Sequence, residues 1–63
     1  MIAVEEHPTV IRVMDGERCI AEASKHGALW ACTASGEDTV WVAGRQDAES
    51  WIRTVYLAAG GTP

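Results

Sequence analysis

"LWACTASGEDTVWVAG", Leu29 to Gly44, sets two runs of apolar and small side chains on either side of a Ser-Gly-Glu-Asp turn. The pattern reads as a β-hairpin, because aromatic and β-branched residues suit a pleated strand and Gly with acidic neighbours suits a turn. Side chains alternate between faces along a strand, so loop length decides which of them stand together. A four-residue loop at 35–38 pairs Ala34 with Thr39, Cys32 with Trp41 and Ala31 with Val42. On that register Trp30, Cys32 and Trp41 share one face, and Leu29, Ala31, Thr33, Val40 and Val42 share the other.

Two more strands precede this hairpin. Residues 9–14, "TVIRVM", are rich in β-branched side chains, and "DGE" after them carries an Asp-Gly hairpin signal. Residues 18–24, "RCIAEAS", make the next strand, and "KHG" at 25–27 reads as a three-residue turn. That turn places Cys19, Ala21 and Ala23 on the Leu29/Val40/Val42 face. A three-residue loop at 15–17, or a bulge, adds Ile11 and Val13 to it, whereas a plain two-residue turn would bury Arg12 at high cost.

From Gly44 onward the apolar period lengthens to about 3.6 residues. Ala48, Trp51, Ile52, Val55, Tyr56 and Ala59 form one stripe, which predicts a helix over 45–59. Gly44 serves as N-cap, Asp47 suits the positive end of the helix dipole, and Gly60-Gly61 ends the helix. Large residues on this stripe match the small, apolar sheet face, with Trp51 as the expected core tryptophan. The outer face of the helix offers Glu49 and Arg53 as an i,i+4 pair. The expected fold is α+β: an antiparallel four-stranded meander with one C-terminal helix on one face, ββββα, with βββα as the alternative. All of 1–63 is one small domain, with 1–8 an extra edge strand or covering arm and 60–63 a flexible tail.

Composition narrows the function. Sixty-three residues bury only about 60% of the surface the unfolded chain exposes, so association is a natural aid to stability. Hydrophobic residues make up 48% of the chain, too many for disorder, and no apolar run approaches the roughly 20 residues of a membrane span. The start, "MIAVEEHP", lacks the basic region of a secretory signal, so a cytoplasmic protein without membrane contact is expected. Net charge is −4, and Arg12, Arg18, Lys25, Arg45 and Arg53 are scattered, which disfavours nucleic acid as a partner. Ten alanines beside one lysine and no asparagine or phenylalanine suggest a high-GC genome, such as an actinobacterium or one of its phages.

No residue pattern calls for catalysis, a cofactor or a metal. Cys19, Cys32, His7 and His26 contain no closely spaced ligand pair. The two cysteines point to opposite faces, which favours free thiols, with Cys19 as a small core residue. Glu5-Glu6-His7 reads as a solvated segment and His26 as a turn residue.

The face without a helix would carry Trp30, Trp41, Arg12, Arg18, Ile20 and Met14. An apolar patch with tryptophan and arginine anchors on a small protein marks an interaction site. The expected occupant is a protein partner or a second copy forming a homodimer, unless the N-terminal "MIAV" folds over the rings.

The stretches "LWA", "TVWVAG" and "DAESW" within Gly27–Trp51 resemble the DNA-binding domain of the plant ethylene-response-factor type. The same segment is similar to the arm-type domain of phage tyrosine integrases. The resemblance implies a sheet whose uncovered face enters the DNA major groove, with Trp30 and Trp41 on that face. It also makes a DNA-binding or DNA-mimicking protein the alternative function. Those families place several arginines and lysines on the sheet. The corresponding positions here hold Glu22, Cys32, Thr33, Thr39 and Glu37-Asp38, leaving Arg12 and Arg18 as candidates.

Overall fold

Five strands form the sheet, one more than the sequence reading expects. A computed structural model describes all residues from Met1 to Pro63. The strands are β1 (Ile2–Glu6), β2 (Val10–Asp15), β3 (Arg18–His26), β4 (Leu29–Ala34) and β5 (Val40–Val42), followed by helix α1 (Arg45–Ala58). Neighbours in sequence are neighbours in the sheet, all antiparallel, so the topology is a meander with β1 and β5 at its edges. The N-terminal segment thus adds an edge strand against β2 and does not fold over a face.

Two tight turns set the registers. Asp15 pairs with Arg18 and His26 with Leu29, leaving Gly16-Glu17 and Gly27-Ala28 as two-residue loops. Each has a glycine with positive φ first, +62° at Gly16 and +63° at Gly27, as type II′ turns require. In the first hairpin a bulge follows: Val13 faces Ala21 and Met14 faces Cys19, so Ile20 is the extra residue. The bulge restores Ile11 and Val13 to the face of Ala21 and Ala23.

The second turn changes the core. A two-residue loop, one shorter than the sequence reading assumed, pairs Ala23 with Cys32 and Lys25 with Trp30. Strand β4 is therefore turned over. Trp30 and Cys32 point at the helix and are buried, while Leu29 and Ala31 face the other way. The β4–β5 ladder also slips by one, pairing Cys32 with Val40 and Trp30 with Val42. The two slips cancel for β5, so Val40 and Val42 stay on the helix side and Trp41 on the opposite side, as the sequence predicted.

Helix α1 packs over β2, β3 and β4 and reaches β1, with no substantial contact to β5. Its stripe buries Ala48 and Ile52 against Ile11, Val13, Ala21, Ala23, Trp30 and Cys32. Trp51, Val55 and Tyr56 flank that cluster and are only partly buried, so the core tryptophan is Trp30 and not Trp51. Gly44 enters the helix in extended conformation, and Gly60 leaves it at φ +101°. The amides of Gly60 and Gly61 donate to Leu57 and Tyr56 carbonyls, a Schellman closure. The chain end is tied down: Tyr56 Oη donates to the Thr62 carbonyl and accepts from its amide, each at 3.0 Å.

Arg45 locks the start of the helix to the far side of the sheet. Its guanidinium lies 5.5 Å from the Trp30 ring centre and donates to the carbonyls of His7 and Pro8. It also pairs with Glu6 and Glu49, so Glu49 bonds back to Arg45 rather than forward to Arg53. No helix is long and apolar enough to cross a membrane.

Candidate functional site

The sheet face opposite α1 is built from transverse rows of side chains. One row runs Trp41–Ala31–Ser24–Val10 across β5, β4, β3 and β2. The next runs Thr33–Glu22–Arg12–Glu5. Beyond it lie Met14, Cys19 and Ala3. Leu29 and His26 pair at the other end.

These rows divide the face by chemistry. The β4–β5 corner is apolar: Trp41 is 56% exposed and Leu29 44%, with Ala31 nearly covered between them. The His26 ring meets Trp41 edge-on, 5.9 Å between centroids, which limits the rotamers open to the indole. The middle row is ionic. Arg12 Nε donates to Glu22 Oε2 at 2.8 Å, and this hydrogen bond, with the carboxylates around it, raises the guanidinium pKa. Arg12 is thereby committed within the face.

Of the six residues expected on this face, Trp41, Arg12 and Met14 lie there, in three successive rows. Trp30 does not: only 4% exposed, it is in the core, because the Gly27-Ala28 turn flips β4. Ile20 does not either. As the bulged residue it packs against the core and lines a groove with Trp51 and Val55 on the helix side. Arg18 stands exposed at the hairpin end, in register with Asp15.

The residues that sequence reasoning missed are Leu29, Ala31 and His26. The signal for them was the Gly-X pair at 27–28, which fits the first central position of a type II′ turn. The cysteines exchange the expected roles. Cys32 is fully buried and Cys19 exposed, both as free thiols. Cys19 Sγ donates to the Ala21 carbonyl across the bulge. Burial pushes the Cys32 thiol pKa up.

The helix side also has open surface. A groove of about 640 Å³ runs between β5 and the C-terminal half of α1, floored by Ile20, Ala34, Val40, Trp51 and Val55 and rimmed by Glu37 and Asp38. A smaller one of about 290 Å³ lies between β1 and α1, around Glu6, Glu49, Arg53 and Tyr56. No group of three or more His, Cys, Asp or Glu side chains converges as a metal site would require. No family model matches the chain, and no curated protein or solved structure matches it.

Proposed function

We propose that the chain is a small, non-catalytic binding module whose helix-free sheet face docks a protein partner. The contact centres on the corner formed by Trp41, Leu29, Ala31 and His26. The observation that carries this reading is the pair of large apolar side chains left open there, Trp41 at 56% and Leu29 at 44% exposure, with no element above them. Tryptophan supplies much of the binding energy in protein interfaces when its ring becomes fully desolvated. A corner already held by His26 costs little side-chain entropy on docking. Arg12 and Glu22, paired beside the corner, form the polar rim.

A DNA-reading face of the integrase-arm type has less support. Reading guanine in the major groove takes arginines free to reach base edges. Arg12 is engaged by Glu22, and Arg18 stands away from the face at the hairpin end. Composition adds the setting: a cytoplasmic accessory or regulatory protein of a high-GC bacterium or phage.

Capture from a high-GC bacterial lysate tests the site. Wild type, Leu29→Asp and Leu57→Asp are immobilised after circular dichroism has confirmed folding. Leu57 is exposed on the helix, away from the face. A specific protein retained by wild type and Leu57→Asp but lost with Leu29→Asp is the expected outcome. Equal capture by all three removes the face as the site.

A further inference from the structure

We infer that β5 is a self-pairing edge, through which two copies of the chain join into one continuous ten-stranded sheet. The inference concerns the strand edge and stands apart from the docking face, although Trp41 belongs to both.

The two edges of the sheet are built differently. Edge strands expose unpaired backbone donors and acceptors, and proteins that stay apart guard them with charge, proline or bulges. Edge β1 has Glu5 and Glu6 on it. Edge β5, Val40-Trp41-Val42, is guarded only by its shortness, three residues: it carries no charge or proline, and its ladder with β4 runs without a register shift. It is also apolar on both sides. Trp41 is open on the helix-free face, and Val40 is 43% exposed on the helix side, where α1 leaves β5 uncovered. A strand added here finds apolar surface both above and below it.

The sequence of the strand selects the occupant. Val40-Trp41-Val42 reads the same in both directions, with small residues, Thr39 and Ala43, on either flank. Antiparallel pairing with a second copy, centred on Trp41, sets Trp41 opposite Trp41 and Val40 opposite Val42. Directly opposed residues share a face, so every pair is like with like: two indoles on one face and valines on the other. Such a contact is isologous and closes at two copies.

Charge agrees with the same register. It carries Asp38 of one copy toward Gly44 of the second, and Glu37 toward Arg45. Gly44 and Arg45 open α1. Carboxylates are favoured at that positive end of the helix dipole. The acidic rim of the open groove therefore meets the helix N-terminus of the second copy, a match that this register imposes and a foreign strand does not.

Sedimentation equilibrium over a concentration series tests the pairing, with folding checked by circular dichroism. Wild type dimerises, and Leu29→Asp, on the docking face, dimerises as well. Val40→Lys places a charge against a closed strand pair and weakens self-association by at least about tenfold. Cross-linking fixes the register independently. In a Cys19→Ser background, Trp41→Cys gives a disulfide-linked dimer on mild oxidation, because opposed strand residues fall within bridging distance. Leu29→Cys in the same background does not. A chain still monomeric at about 1 mM overturns the inference. So does a dimer indifferent to Val40→Lys, or one linked through position 29 and not 41. A monomer that still captures its partner through Leu29 overturns the pairing alone, whereas a β5 dimer that captures nothing overturns the docking face alone.

Discussion

Cys32 has no exposed surface and touches the core, while Cys19 lies open at the β3 bulge. That difference in solvation predicts two separate rates of thiol labelling. A thiolate is the reactive species, and burial disfavours it, so the Cys32 pKa is raised in the folded state. Native protein at about pH 8 should release one equivalent of chromophore from Ellman's reagent quickly, and the second only as the chain unfolds. The sign of the pH effect follows. The unfolded thiol ionises near its ordinary value while the folded one stays protonated, so the unfolded state holds fewer protons above that point. The stabilising contribution is complete below the unfolded pKa and declines as pH rises through it. Denaturation midpoints for wild type should fall through the mildly alkaline range more than those of Cys32→Ala. Equal slopes would contradict the raised pKa. Arg12 is raised as well, but its ordinary value is so high that it stays charged throughout any such titration.

At the level of elements, the β3–β4 turn decides which face of β4 enters the core. Gly27 has φ +63° with open space where a side chain would be, so an alanine there meets no clash but a strained backbone. Gly27→Ala should destabilise the fold by about 1 kcal/mol, read as a lower urea midpoint at unchanged slope. Gly44→Ala is the contrasting case, since that residue is extended at φ −167° and equally open. The turn resisted sequence reading because Lys-His-Gly and Gly-Ala are both plausible loops, and they differ by one residue. A one-residue change reverses every side chain of the following strand. The first hairpin keeps Ile11 and Val13 on the helix side because burying Arg12 is too costly, and the bulge at Ile20 absorbs the extra residue.

At the scale of the whole molecule, Trp30 ties the layers together. Its ring packs among β3, β4 and α1 and lies beneath the Arg45 guanidinium, which in turn reaches the His7 and Pro8 carbonyls of the β1–β2 loop. Truncating a buried tryptophan costs about 3–5 kcal/mol. A chain of this length has a total stability of about 3–9 kcal/mol. Trp30→Ala should therefore lose a large share of the stability and melt far below wild type by circular dichroism, whereas Trp41→Ala should keep a transition close to that of wild type. Comparable melting of the two variants would contradict the exchange of roles between the rings. Since the domain is this close to its limit, burial of the β5 edge against a second copy would add to a small reserve.

Local sequence sufficed for the strands over 9–43 and the helix, from alternation and the 3.6-residue stripe, and for the helix ends, from Gly44, Asp47 and Gly60-Gly61. Alternation groups the side chains of a strand but does not choose their side: Ile11 and Val13 reach the helix side through the cost of burying Arg12, and Val40 and Val42 through two register slips that cancel. The side chosen by Trp30, Cys32, Leu29 and Ala31 was decided only by tertiary structure. Either face of β4 is apolar enough to be buried, so its own pattern is silent, and the choice passed to a glycine turn and to the volume available under α1. The pairing of β1 with β2 was likewise tertiary, because a short run with two glutamates declares itself a strand only where β2 offers a free edge.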